Sequence, residues 1–445
     1  MRVSQTPWQY AILNLPVLAM ISALTSAHAL EIGPSDDLES TVSGLQPGEE
    51  LVLRGGNYLF DENVTLRANG TSQQPIVIRA KDGEQAVISQ ATNQQNVVEI
   101  NGSSHLVFRG LEFTGGSHGI RLIDSDFITI EDCEIHETGD VAISANSGGT
   151  YEGLKILRNH IHHTNGTGEG MYLGCNNDGC RVANSLIEGN YIHHTNRPSV
   201  SQGDGIELKE GSYGNTIRDN VIHDTNYPGI LTYSTVGNGP ANIIERNVVW
   251  NVNDNTVQIA ADAVFRNNII LGNVALQRHQ AGSPSNIEVL HNTIIANGNA
   301  LDVRDVSGPV AIANNAIYAQ GQAIRLLSGD LDQVQLSGNV GAGGLSGGSS
   351  GYENGNGITN DMVNGHYSGN PPIDPFPAPG SALVDTGSAE MFVDEDFNGE
   401  PRVGTPDVGA YQFEAGGNPG WRIVEGFKSA VSSKRPNPPT DLTGE

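Results

Sequence analysis

Lys209 stands in the segment Gly203-Asp204-Gly205-Ile206-Glu207-Leu208-Lys209-Glu210-Gly211, where apolar and polar residues alternate. In an extended strand this puts Ile206 and Leu208 on one face and Glu207 and Lys209 on the other. Comparable strands recur as Val141-Ala142-Ile143-Ser144, Met171-Tyr172-Leu173-Gly174, Ile230-Leu231-Thr232-Tyr233, Val257-Gln258-Ile259-Ala260 and Leu301-Asp302-Val303-Arg304. Stacked side by side, they give two outward columns. One holds Ala142, Tyr172, Glu207, Leu231, Gln258 and Asp302; the other holds Ser144, Gly174, Lys209, Tyr233, Ala260 and Arg304. Lys209 and Tyr233 then lie about 5 Å apart at Cα, with Tyr172 diagonal to Lys209 at about 8 Å.

A lone exposed lysine is ordinarily a solvated charge. A tyrosine on each neighbouring coil makes it a candidate for proton transfer. Glycoside hydrolysis needs two carboxylates flanking the bond, and Glu207 has no outward carboxylate partner on the adjacent strands, although Asp204 or Glu169 on loops could serve. A Lys–Tyr pair suits β-elimination from a uronic acid. One group removes the proton α to the carboxylate and the other protonates the departing glycosidic oxygen. The substrate carboxylate must be neutralised for that proton to become acidic. The candidate catalytic residues are Lys209, Tyr172 and Tyr233. The candidate substrate-binding residues are Arg197, Glu207, His163, His194, Gln258 and Arg304. Ca²⁺ held near Glu207 is a second way to supply the positive charge.

These residues need a scaffold that stacks strands in register, and the sequence supplies one. A unit of the form apolar-x-apolar-x-x-Asn-x-apolar recurs with its Asn at 159, 190, 220, 247, 268, 292, 315 and 339; Cys133 and Leu111 hold the slot in earlier copies. Such self-similarity marks a repeat architecture. Each unit is a few short strands with Gly and Asn at the turns and no helix-period stretch. The expected fold is all-β, a parallel β-helix, with a stacked Asn ladder of purely structural role. Residues 30–105 form an N-terminal cap and the first coils, 106–340 the regular coils, and 341–379 a loop-rich exit. The catalytic domain is expected to run from 30 to 414. The Asp-rich turn at 394–402 reads as a hydrogen-bonded cap, with calcium the less favoured reading. Residues 415–445 lack periodicity and read as a disordered tail.

A further column, His136, His162, His193 and His223 followed by Trp250, tiles one outward face; its functional reading is a groove for sugar rings. Metal binding is a further reading of this column, although no carboxylate of matching repeat completes it. The chain of 445 residues has a net charge of −27 without a basic stripe, which argues against nucleic acid. Residues 150–310 are milder, with 10 Lys and Arg against 15 Asp and Glu. Residues 1–29 carry Arg2, an apolar run and Ala27-His28-Ala29, the pattern of a cleavable signal peptide. No later run is long enough to span a membrane. A secreted or periplasmic monomer is expected. Cys175 and Cys180 flank a short polar loop, and oxidising surroundings favour a disulfide between them; Cys133 reads as core.

The stretch from Ile206 to Asn220, Ile-Glu-Leu-Lys-Glu-Gly-Ser-Tyr-Gly-Asn-Thr-Ile-Arg-Asp-Asn, resembles the lysine-bearing coil of right-handed β-helix alginate lyases in polysaccharide lyase family 6. In that family the lysine is the base and an Arg follows one coil later, where this chain has Tyr233. Pairing Lys209 with Tyr172 on the preceding coil is more similar to the alginate lyases of family 31. The resemblance covers about residues 100–340. It implies a right-handed coil, a lyase activity on an anionic uronic-acid polymer, alginate first, and Lys and Tyr as base and acid. A glycoside hydrolase and a non-catalytic sugar-binding surface protein are the alternatives. A C5-epimerase ranks lower, because the Asp-Pro-His-Asp motif of those enzymes is absent.

Overall fold

A computed structural model describes residues 29–429. The expected leader falls almost wholly outside them, as do residues 430–445. The described chain winds into a right-handed parallel β-helix, the hand that parallel crossovers of twisted strands take. Each coil contributes one strand to each of three long sheets, two of 13 strands and one of 12. In the coil after Gly102 these strands are Leu106–Arg109, Glu112–Gly115 and Ile120–Ile123, in the first, second and third sheet respectively.

The inward positions are apolar and stack in register. In the first sheet Phe108, Ile130, Ile156, Ile187, Ile217, Ile244 and Phe265 follow one another from coil to coil, each essentially without solvent exposure. Branched side chains pack well against their counterparts on such a surface. The helix Leu38–Gly44 closes the N-terminal end, with Asp37 accepting from Ser40 N–H at its start and Leu38 and Val42 buried beneath it.

The corner between the first and second sheets explains the Asn repeat. One residue there takes a left-handed conformation: Asp132, Arg158, Asp219, Arg246, Asn267 and Asn314 do so at φ of 52 to 57°, and Gly189 in the same slot at 67°. The next residue is Cys133 after Asp132 and otherwise the ladder Asn, buried and inward. Its Nδ2 donates to the Oδ1 of the Asn one coil on, at 2.9–3.0 Å from Asn159 through Asn339. It also donates to a main-chain carbonyl of the preceding coil, as Asn220 does to Ile187 at 3.0 Å. A tight turn leaves main-chain groups without strand partners, and the amide column satisfies them. At the start of the ladder, Cys133 N–H donates to Asn159 Oδ1 at 3.0 Å.

Two details differ from the sequence reading. Ser144, not Ala142, lies beside Tyr172. The slip is two residues, which keeps the same side chains facing inward, so alternation alone cannot detect it. The short strand Val274–Leu276 forms an additional coil between Gln258 and Asp302, with Ala275 in the outward column.

The C-terminal region also differs from a loop-rich exit followed by a disordered tail. It turns back over the outer face of the second sheet, where Phe376, Leu383, Phe397, Val408, Tyr411, Trp421 and Ile423 pack on Val221, Val248, Trp250, Ile269 and Tyr318. The outward residues of those coils are apolar and need a cover. Residues 415–429 belong to this layer: Ile423 bridges Ile373, and the Lys428 ammonium sits 2.9 Å from Asp219. The Asp-rich turn is held by hydrogen bonds. Asp396 accepts from the N–H groups of Asn398, Glu400 and Gln412, and Arg402 donates to the Gly409 carbonyl and Asn267. Among the described residues no helix is long and apolar enough to cross a membrane.

Candidate active site

The third sheet carries Lys209 just past its strand Ile206–Leu208. Inward Ile206 and Leu208 fix the strand, and the alternation turns Glu207 and Lys209 outward, as the sequence indicated. Outward here does not mean exposed. Loops on either side bury Lys209 to 4% and Glu207 to 2% exposure, at one wall of a cavity of about 280 Å³.

The Lys209 ammonium lies 2.6 Å from Glu207 Oε1 and donates to Tyr233 Oη at 3.1 Å. It also sits 4.5 Å from the centre of the Tyr172 ring and 4.8 Å from that of Tyr233. Tyr172 pairs with Glu207 across the strands. The Tyr233 hydroxyl donates to Glu207 Oε1 at 2.8 Å and is 2.9 Å from His279 Nε2. Gln258 lines the same cavity and holds the other His279 nitrogen at 3.2 Å. Burial opposes charge on Lys209, but Glu207 outweighs it and leaves the lysine pKa above its ordinary value. Burial raises Tyr172, with Lys209 pulling it only partly back. Burial and then Glu207 push Tyr233 far up.

Behind this pair is a cluster that strand periodicity did not assemble. Glu169, Asp204 and Glu207 bring carboxylate oxygens within 4.8 Å of one another, all buried. Glu169 Oε1, both Asp204 oxygens and Glu207 Oε2 have no hydrogen-bond partner. Burial, then the neighbouring acids, push Glu169 up to about 6 and Asp204 well above the carboxylate range. Orphaned buried carboxylate oxygens are costly. A hard divalent cation with oxygen ligands fits this donor set.

Other expected site residues fall elsewhere. Arg197 is held by Glu137, at 2.6 and 2.5 Å. His163, just past the strand His160–His162, and His194, within the strand Tyr191–Thr195, stack on each other at 4.7 Å. Arg304 donates to Asp302 at 2.8 Å. None of the four lines the Lys209 cavity. Trp250 is buried to 2% under the C-terminal layer and cannot line a sugar groove. Cys175 and Cys180 form a disulfide in the loop that follows the Tyr172 strand. His279 was missed because it sits in an irregular loop, 277–286, where strand alternation carries no signal.

Known proteins share this architecture. A family model described as Pel9A-like, right handed beta helix region, matches residues 25–240. A second, right handed beta helix region, matches 184–350. A curated relative, pectate lyase L of Paenibacillus polymyxa (strain SC2), is 23% identical over 300 residues, 62% of this chain and 62% of that protein. The chain thus spans under two thirds of that relative's length. The crystal structure of pectate lyase Pel9A superposes with a TM-score of 0.51 at 14% identity, covering 87% of this chain and 96% of the other. The structure of XylC with xylose gives 0.56 at 11%, covering 84% and 94%. The resemblance first drawn from the Lys209 coil therefore holds at the level of right-handed β-helix polysaccharide lyases.

Proposed function

We propose that this chain is a polysaccharide lyase that cleaves a uronic-acid polymer, alginate first, by β-elimination. The observation that carries the reading is the placement of Lys209 on the wall of an open cavity beside a carboxylate cluster, with Tyr233 on the same wall and the Tyr172 ring 4.5 Å from the Lys209 nitrogen. Lys209, once its ammonium has given a proton to solvent, takes the proton from C5 of the uronate as a neutral amine. The electron pair forms the C4=C5 double bond, the C4–O bond breaks, and the departing oxygen takes the Tyr172 proton. Glu207 fixes Lys209 by a hydrogen-bonded ion pair. Gln258 and His279 line the approach and favour a polar, hydroxyl-rich ligand. The hydrolase alternative fits less well. Its two carboxyls must flank the bond about 5–9.5 Å apart, whereas each of these three brings an oxygen within 4.8 Å of the others.

The expected result is a rise in absorbance near 235 nm when the protein meets alginate, from the new double bond, with a smaller rise on polygalacturonate. The Tyr172–Lys209 pairing favours alginate, and the pectate lyase relative puts polygalacturonate second. New reducing ends without that absorbance would establish hydrolysis instead, and no change with either polymer would leave a binding protein. Export by the expected leader belongs to the same proposal.

Glu169, Asp204 and Glu207 are the residues that would hold Ca²⁺. When bound it would neutralise the substrate carboxylate, the charge that Arg197, His163 and His194 are not positioned to supply. Calorimetric titration of chelator-treated protein with CaCl₂ is expected to show one site, weakened at least about tenfold in Glu169→Gln by loss of one ligand charge. Absence of heat, with full activity in EGTA, would remove calcium from the proposal.

A further inference from the structure

We infer that Glu134, His160 and His162, on the outer face of the second sheet, form a binding site for a borderline divalent cation, zinc first, that staples two successive coils. The ligand set comes from the strand geometry. His160 and His162 are two apart on the strand His160–His162, so both point outward. Glu134 is the direct cross-strand partner of His160 on the preceding coil. The three donor atoms lie within 4.8 Å of one another.

The spacing suits a metal better than a simple ion pair. Glu134 Oε1 is 3.1 Å from His162 Nε2 and 3.6 Å from His160 Nδ1. Two ligands about 2.0–2.1 Å from a tetrahedral zinc are roughly 3.3 Å apart, and these distances bracket that value. The longer one is too long for a hydrogen bond. Two imidazoles and one carboxylate match zinc-class ions rather than calcium, which takes oxygen alone. The side chains keep 41, 31 and 13% exposure in the order Glu134, His160, His162, so water can complete the coordination.

The surrounding histidines act as orienting partners. His160 Nε2 is 2.8 Å from His193 Nε2, and His193 Nδ1 is 2.6 Å from His194 Nδ1. His162 Nδ1 is 2.7 Å from His163 Nδ1. With every ring neutral, several proton arrangements satisfy the three contacts, and one of them leaves both ligand nitrogens free for a metal. In that one His160 donates through Nε2, His193 and His162 donate through Nδ1, and the lone pairs of His160 Nδ1 and His162 Nε2 turn to Glu134. Ligating histidines commonly donate their second N–H in this way. The sequence concealed the site because the carboxylate comes from a column of its own: position 160 is Glu112, Glu134, His160 and Tyr191 in four successive coils.

The test is a ZnCl₂ titration of chelator-treated full-length protein, with excess calcium present to keep the Glu169 cluster from competing. One equivalent of zinc should bind and raise the thermal midpoint, and Co²⁺ as a probe should give the visible bands of a nitrogen-ligated ion. His160→Gln combined with His162→Gln should abolish both signals. Glu134→Gln, which keeps the side-chain volume, should weaken zinc at least tenfold, and His193→Phe, which keeps the ring stack, about tenfold. Glu169→Gln should leave zinc binding unchanged. A wild-type chain that takes up no zinc, or a His160/His162 double variant that binds it as tightly as wild type, overturns the inference.

Discussion

Lys209→Ala is expected to lower kcat on alginate by about 10²-fold or more. The lysine is the one cation recorded among the residues lining the 280 Å³ cavity, and its nitrogen is held by Glu207, Tyr233 and the Tyr172 ring at once. Alanine alone would be an ambiguous test. Side-chain exposure in the Lys209–Glu207 pair is only 5 and 3%, and removing one partner of a buried pair strands the other charge at a cost of about 3–5 kcal/mol. Lys209→Arg separates the two effects. The guanidinium keeps the positive charge against Glu207 but does not release its proton at accessible pH. A proton-transfer role therefore predicts that Lys209→Arg retains the wild-type circular dichroism spectrum and stays at least about 10²-fold slow. Near-normal turnover in Lys209→Arg would mean that Lys209 contributes charge alone and that another group moves the proton.

The scaffold was legible because a β-helix writes its geometry into the sequence many times over. The left-handed corner recurs from coil to coil and the inward Asn in eight successive copies, so Asn159 to Asn339 mark the stack without reference to any distant contact. Phase along a strand is equally well written, which is why Glu207, Lys209, Tyr172 and Gln258 could be put on the outward face. What periodicity cannot carry is register by two, as with Ala142 and Ser144, or any group on an irregular loop. Glu169 and Asp204 precede their strands, and His279 reaches the site from a loop two coils beyond Tyr233. Arg197 was assigned on charge and loop length, and its partner Glu137, 60 residues away in sequence, could not be foreseen. The folded-back C-terminal layer was concealed for a related reason. Apolar outward positions such as Val221, Val248 and Ile269 announce a cover but not the segment that provides it.

The two tyrosines around Lys209 are expected to respond differently to loss of a hydroxyl, and the difference identifies the proton donor. Tyr233 is 2% exposed, and its hydroxyl is committed on every side. It donates to Glu207, receives from Lys209 and meets His279. Burial and the Glu207 charge both hold its proton, so delivering that proton to a leaving group would strip Glu207 of a hydrogen bond it needs. Tyr172 is only partly buried, lies against the ammonium of Lys209 and stands beside Glu207 in the outward column. Phenylalanine preserves ring and packing in both cases. Tyr172→Phe is therefore expected to cut kcat by about 10²–10⁴ with little change in KM. Tyr233→Phe should act mainly on KM, by loosening Glu207 and with it the position of Lys209. The opposite pattern would make Tyr233, which itself lines the cavity, the donor. Unchanged kinetics in both variants would reject a Lys–Tyr elimination and return the Glu169, Asp204 and Glu207 carboxyls to the centre of the chemistry.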